Sequence, residues 1–287
     1  MGRPRWLPRR KYQNPMCQLL GLNCNTPTDV SFSFTGFALR SGVTDHHADG
    51  WGIAFFEGTE EDRGLRYFVD HLPAWKSPIA QLVRQYPIKS RHVIAHIRKA
   101  TRGGVSLENT HPFVRELWGR YWVFAHNGNL ENYAPALDRH FKPVGDTDSE
   151  YAFCWMMQEI DRSFSAEPDA QELSNVILRL AREVAAHGTF NFLLSNGAAM
   201  WAHASTKLCY VERKHPFAQA TLCDQDVSID FAKYTQPTDK VAVVVTAPLT
   251  TNEEWHHFQS GELRLFQDGS SRRIGISRVH SEVPTPT

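Results

Sequence analysis

Short apolar runs with strand-type alternation recur along this chain, separated by polar turns, with two helix-period stretches in the middle. Cys17–Asn23 reads as a first strand, and Gly50–Phe56 with Leu65–Val69 reads as a hairpin about the polar Glu57–Gly64 turn. Arg91–Arg98 alternates, with Val93, Ala95 and Ile97 on one face and His92, Ile94, His96 and Arg98 on the other. Tyr121–Ala125 is a further strand. Thr147-Asp148-Ser149-Glu150 has the T-x-x-E form of a capping box and opens a helix through Ile160. Gln171–Ala186 spaces Leu173, Val176, Ile177, Leu180 and Val184 for a second helix. Phe190–Ser195, Met200–Ala204, Leu208–Val211 and Val241–Thr246 read as strands, the last an apolar run typical of a buried one. Strands at both ends with helices between them predict one α+β domain of layered sheets and helices. Past Gln267 the chain turns rich in Ser, Arg and Pro and reads as a loose tail over 268–287.

Composition narrows the classes. Apolar and charged fractions of 41% and 22% in 287 residues are those of an ordinary globular protein. No run of eighteen apolar residues could form a membrane-spanning helix, and a net charge of zero gives no electrostatic reason to expect nucleic acid. The neutrality conceals an asymmetry: residues 1–16 hold Arg3, Arg5, Arg9, Arg10 and Lys11 with no acid, which leaves the remainder acidic. This leader lacks the apolar core of a secretory signal, and Pro4, Pro8 and Pro15 would break an import helix. Two explanations remain, a pro-segment removed before Cys17 or a start placed upstream of the natural Met16. The second is favoured, and either leaves 1–16 absent from the active protein. Five cysteines without a C-x-x-C pair predict free thiols in a reducing compartment, the cytoplasm. The histidines, including His46-His47 and His256-His257, show no H-E-x-x-H spacing, so no metal or other cofactor is expected.

Candidate chemistry begins at Cys17, directly behind Met16. As a first residue it would carry a thiol and a free α-amine together. Such an amine has a pKa of about 7.7–8.0 and can act as general base for its own side chain. Arg98 ends a strand on its polar face; it reads either as a surface arginine or as a planar fork for a carboxylate. Asn127-Gly128 follows a strand, where Asn-Gly commonly marks a hairpin turn, and Asn196-Gly197 between two apolar runs reads as such a hairpin. Asn127 differs because His126-Asn127-Gly128-Asn129-Leu130 leads toward a helical-looking segment. A side-chain amide beside a glycine N–H is also a pair of donors for an oxyanion. Asp148 reads either as a first-turn acid or as a carboxylate for a ligand ammonium.

The order Cys17, Arg98-x-x-Thr101, Asn127-Gly128, Thr147-Asp148-Ser149-Glu150 resembles the glutaminase domain of class II (Ntn-type) glutamine amidotransferases. Asp49-Gly50-Trp51-Gly52-Ile53-Ala54, Glu108-Asn109-Thr110-His111-Pro112-Phe113 and Pro248-Leu249-Thr250 resemble the small stand-alone YafJ-like branch. The resemblance implies a four-layer αββα sandwich over 17–267, between the leader 1–16 and the tail 268–287. It implies Cys17 as nucleophile on the amide carbon of L-glutamine, Asn127 and Gly128 as oxyanion donors, and hydrolysis through a γ-glutamyl thioester. Arg98 would take the substrate α-carboxylate and Asp148 its α-ammonium, with Thr101, His111 and Trp51 as further pocket residues. Large members fuse this domain to a synthase. The expectation here is therefore a separate ammonia-accepting synthase, or a γ-glutamyl amide substrate in thiol or peptide metabolism. A leader that stays attached would turn the Cys17 nitrogen into an amide and leave a non-catalytic regulatory module.

Overall fold

The computed structural model describes residues 17–44, 49–58, 64–86, 88–100, 103–138 and 140–277. The leader 1–16, His46-His47, Thr101 and residues 278–287 lie outside the described residues. In chain order, β1 (Gln18–Asp29) leads to α1 (Ser31–Leu39), β2 (Trp51–Glu57), β3 (Gly64–Asp70), α2 (Pro78–Gln85), β4 (Lys89–Ile97), β5 (Phe113–Leu117) and β6 (Arg120–Leu130). Two helices follow, α3 (Asp148–Ser163) and α4 (Ala170–Ala185), then β7 (Gly188–Ser195), β8 (Met200–Ala204) and β9 (Cys209–Lys214). The chain continues through β10 (Gln219–Thr221), β11 (Ser228–Asp230), β12 (Lys240–Val245), β13 (His256–His257), β14 (Glu262–Gln267) and β15 (Ser270–Ile276).

The strands form two antiparallel sheets, ordered β13-β9-β12-β1-β4-β2-β3 and β15-β14-β8-β7-β6-β5, with β10-β11 as a separate ribbon. Three apolar layers hold them together. Leu19, Ala54, Ile94 and Val244 of the seven-stranded sheet face Val123, Ala125, Leu193 and Ala202 of the six-stranded sheet. On the outer side of the first sheet, Phe34, Phe37, Ala80 and Val83 of α1 and α2 cover Leu20, Ile53, Val93 and Val243. On the outer side of the second, α3 and α4 cover Trp122, Phe124, Phe192 and Trp201 with Phe153, Met157, Ile177 and Leu180. The result is helix, sheet, sheet, helix, an α+β sandwich of αββα layering. Because both sheets are covered on both faces, central strands such as β12 and β7 read as near-continuous apolar runs.

Several local expectations are corrected. No helical segment follows Asn127-Gly128: β6 runs straight through the pair to Leu130, matched to β7 at Asn127↔Asn191 and Gly128↔Phe190, and residues 131–138 form no helix. Thr147 does cap α3, its Oγ1 accepting Glu150 N at 3.2 Å. Glu150 does not return to the cap, however. It accepts from Val144 N, Gly145 N and half-buried Arg115 instead, tying down the loop before the helix. The segment after Gln267 is not a loose tail from the outset, because Ser270–Ile276 is an edge strand paired with β14. Its turn is Asp268-Gly269, both at positive φ (51° and 71°), the geometry of a two-residue hairpin loop. Exposed Ser and Arg suit an edge strand, which is why composition there pointed the other way. Helix α1 has no capping side chain and no polar stripe, so no period announces it, while α2 starts with the conventional Ser77 cap and Pro78.

Candidate active site

Strand alternation decides which side chains can meet. On β1, Leu20 and Leu22 face α1 and α2 while Leu19 faces the opposite sheet, so Cys17 belongs to the inner face. The same parity on β4 sends Val93, Ala95 and Ile97 outward and places Arg98 inward with Ile94. On β12, Val243 and Val245 face outward and Thr246 follows Val244 inward. On β6, Val123 and Ala125 are inner, and Asn127 continues their face. Cys17, Arg98 and Thr246, at the ends of β1, β4 and β12, therefore share the space between the sheets with Asn127, which stands within β6.

Cys17 is half-buried, and its Sγ lies 3.2 Å from Lys99 N, which donates to it, and 3.3 Å from Lys99 O, to which the thiol donates. Desolvation pushes the thiol pKa up, against the Lys99 N–H and the Arg98 guanidinium, which favour the thiolate; Asp49 adds to the rise. A thiol so placed stays protonated at neutral pH and requires a base. Asn127 is fully buried, and its Nδ2 donates to Cys17 O at 2.5 Å and to Thr246 Oγ1 at 3.3 Å. Behind it, Asn191 Nδ2 donates to Asn127 O at 2.9 Å and fixes that stretch of β6.

The open edge of β6 supplies a second donor. Pairing with β5 stops at Phe124. Beyond it, Glu131 N donates to His187 O on the β7 side, whereas Leu130 N donates away from β7, to Asp148 Oδ2 at 2.7 Å. Two-residue alternation points the Gly128 N–H to the same open side as that of Leu130. Asp148 is half-buried and keeps lone pairs beyond the bonds from Leu130 N and Ser149 N. Ser149 Oγ lies 2.8 Å from His126 Nδ1, and His126 Nε2 lies 3.0 Å from Thr189 O. The Thr189 carbonyl can only accept, so Nε2 carries the proton and Nδ1 accepts from the serine. Burial lowers the His126 pKa despite the opposing pull of Asp148, which keeps the ring neutral.

Arg98 is 3% exposed, with Nη1 donating to Gly104 O at 2.8 Å and Nη2 to Gly103 O at 3.4 Å. Asn109, to which the sequence assigned no role, links this segment to the one that bears Asp148. Its Nδ2 donates to Gly104 O at 3.2 Å and to Asp146 Oδ1 at 2.7 Å, and its Oδ1 accepts Asp146 N at 3.0 Å. Gly145 is needed there, because a Cβ would sit 2.2 Å from Asn109 Oδ1. Thr246 and Asp49 were also missed; Asp49 N donates to Arg98 O at 3.2 Å and its Oδ2 accepts Ala100 N at 2.8 Å.

The remaining expected residues divide. His111 is buried, its ring 4.4 Å from that of His96 and 4.3 Å from that of Phe113, and neither ring nitrogen has a hydrogen-bond partner. Burial, then the neighbouring His96, His126 and Arg98, drive its pKa well down. Trp51 is a correction: strand parity turns it to the outer face, where it packs 5.8 Å from Phe34, so it is a core residue and not a pocket wall. Thr101 lies outside the described residues. Among the described residues no group of three or more His, Cys, Asp or Glu is arranged to hold a metal.

Comparison with known proteins places the chain in a family. The model of the class-II glutamine amidotransferases matches residues 16–286. A protein of Haemophilus influenzae named as a candidate glutamine amidotransferase is 54% identical over 88% of this chain and 85% of its own length. YafJ of Escherichia coli, named in the same terms, is 51% identical over 88% of this chain and 97% of its own. The crystal structure of a predicted glutamine amidotransferase from Pseudomonas aeruginosa PA01 superposes with a TM-score of 0.71 at 41% identity, covering 89% of this chain and 99% of that one. With the family match running through every strand and helix described above, the chain belongs to the class-II glutamine amidotransferases.

Proposed function

We propose that the protein hydrolyses the side-chain amide of L-glutamine, or of a larger γ-glutamyl amide, with Cys17 as an N-terminal nucleophile. The observation that carries the reading is the meeting of Cys17 and Arg98 with Asn127 between the inner faces of the two sheets, with Asn127 Nδ2 2.5 Å from the Cys17 carbonyl oxygen. With residues 1–16 absent, the Cys17 α-amine, of pKa about 7.7–8.0, is the base that the desolvated thiol requires. The amine takes the thiol proton as Sγ bonds to the amide carbon and the carbonyl electron pair moves to oxygen. Asn127 Nδ2 and Gly128 N–H receive the developing charge. The resulting ammonium returns its proton to the departing nitrogen, the C–N bond breaks, and ammonia or an amine leaves a γ-glutamyl thioester. Water then gives a proton to the amine and its oxygen to the acyl carbon. The C–S bond breaks, and the ammonium reprotonates sulfur to restore the thiol and release glutamate.

In this reading Arg98 binds the substrate α-carboxylate, Asp148 its α-ammonium, and His111 borders the pocket beside Arg98. The ammonia passes to solvent or to a separate accepting synthase. Selectivity for the leaving group falls to the loop after β12. That loop is held by a bidentate Arg213–Glu253 pair (2.7 Å each) and by Trp255 Nε1 donating to Thr250 Oγ1 at 3.0 Å. The test compares three chains on L-glutamine and a panel of γ-glutamyl amides: one starting at Cys17, its Cys17→Ala variant, and one retaining residues 1–16. Glutamate release is expected from the first alone, and a diazoketone glutamine analogue should label Cys17. Full activity with the leader demonstrably attached by mass spectrometry defeats the amine-base mechanism. Labelling at Cys24, Cys154, Cys209 or Cys223 relocates the site.

A further inference from the structure

The way β12 ends brings a hydroxyl to the oxyanion residue. Leu20 pairs with Val245, so an unbroken ladder would continue with Leu19 and Thr246 exchanging two backbone hydrogen bonds. One of them is made, Thr246 N donating to Leu19 O at 3.2 Å. In the other the side chain takes over: Leu19 N donates to Thr246 Oγ1 at 2.9 Å. That same oxygen accepts Asn127 Nδ2 at 3.3 Å. A single hydroxyl, on a residue only 5% exposed, thus joins β1 two residues past the nucleophile to β6 in the opposite sheet.

Its position is set from behind. Buried Arg40 donates to Ala247 O at 2.8 Å and to Pro248 O at 2.5 Å, and its Nε pairs with Asp224 at 2.9 Å. The two residues after Thr246 therefore cannot relax away from the bend without leaving a buried guanidinium short of acceptors.

Donor arithmetic gives this contact a role. An asparagine amide has two N–H donors. In Asn127 one is directed to Cys17 O and the other to Thr246 Oγ1, while Asn127 Oδ1 is buried without a partner. An oxyanion can receive a side-chain proton from Asn127 only if one of these bonds is given up. The Thr246 bond is the longer, and its acceptor already receives Leu19 N–H. We propose that Thr246 is a positioning residue for the oxyanion site. Its hydroxyl holds one Asn127 amide hydrogen in the resting enzyme and releases it to the substrate oxygen as charge develops. Together with Cys17 O it keeps the nitrogen, and not the bare Oδ1, turned toward the nucleophile. The inference rests on the hydrolase reading given above.

The test uses the chain starting at Cys17 with Thr246→Val, which keeps the shape and removes the hydroxyl, Thr246→Ala as a second variant without it, and Thr246→Ser, which retains it. Both hydroxyl-free variants should lose roughly tenfold or more in kcat with KM within about twofold, while Thr246→Ser stays within about threefold of wild type. In an Asn127→Ala background, Thr246→Val should cost less than about twofold further, because the group it positions is gone. Thermal melting of each variant reports whether the sandwich is retained. Unchanged kcat in Thr246→Val, equal damage from Thr246→Ser, or multiplied effects in the double variant overturn the inference while the active wild type leaves the hydrolase reading standing. A wild-type chain inert toward every γ-glutamyl amide overturns that reading, and this inference with it.

Discussion

The dipeptide Asn-Gly occurs at 127–128 and again at 196–197, both in the six-stranded sheet, and the chain uses it in opposite ways. At 196–197 it serves the backbone. Asn196 Oδ1 accepts Ala198 N at 3.1 Å and Ala199 N at 3.0 Å, and Gly197 takes φ +81° to reverse the chain between β7 and β8. Asn196 N donates to Ala199 O, so the turn centres on Gly197-Ala198 with positive φ at its first position alone, as in a type II′ hairpin. At 127–128 the backbone stays extended within β6, and the asparagine reaches across to the other sheet. Gly128 is required there for a different reason: a Cβ would stand 1.8 Å from Thr189 O and 2.5 Å from His126 Nε2. In one pair glycine supplies a torsion, in the other it supplies room.

Substitutions in the two pairs should separate accordingly. The largest effect is expected from Gly128→Ala. The added methyl must push β7 or His126 aside, so glutamate release should drop by about 10³-fold or more and stability by about 1–3 kcal/mol, read by steady-state kinetics and urea melts. Wild-type kinetics in that variant would mean that β6 and β7 are not so close. Asn127→Ala comes next, with kcat lower by roughly 10²–10³-fold, KM little changed and stability lower by about 1–2 kcal/mol, since the buried bonds to Cys17 O and Thr246 Oγ1 are lost. A loss confined to KM would reassign Asn127 to ground-state binding. Gly197→Ala should cost about 1–2 kcal/mol in a urea melt, from the strain of positive φ, and leave kcat/KM alone. The smallest change, about 0.5–1.5 kcal/mol, belongs to Asn196→Ala, which forfeits the bonds to Ala198 N and Ala199 N. Any loss of activity from the second pair beyond about twofold would break the distinction between the two uses.

Much of the site was legible because parity is local. The alternation of Arg91–Arg98 already put Arg98 on the face opposite Val93, Ala95 and Ile97, and that is the face that meets the second sheet. The same rule, applied from Trp51 along Trp51–Glu57, would have sent that tryptophan to the outer side, beside Ile53 and Phe55. The strand after Asp268-Gly269 was legible too, since Asp-Gly between strand-like segments signals a hairpin; its serines and arginines obscured it. Helix α1 was not legible, because its half-buried side carries apolar Phe32 and Leu39 while its buried side includes Ser33 and Gly36, so residue type traces no stripe to count. The roles of Asn109 and Thr246 were not legible either: Asn109 stood in a segment that carried the resemblance but had no chemistry assigned, and a threonine ending a strand is ordinary.

What the order of residues determined was therefore the central strands of both sheets, the two long helices and the face on which their side chains stand, since these follow from backbone periods of 2 and 3.6 residues. The tertiary structure alone decided which strand ends adjoin and which polar atoms pair across them. Cys17 meets Lys99 at a separation of 82 residues and Asn127 at 110, and Asn127 meets Thr246 at 119. No local period encodes such distances. They are set when two sheets bury their inner faces against one another, and the polar atoms left at the strand ends must then find partners among whatever the packing has brought near.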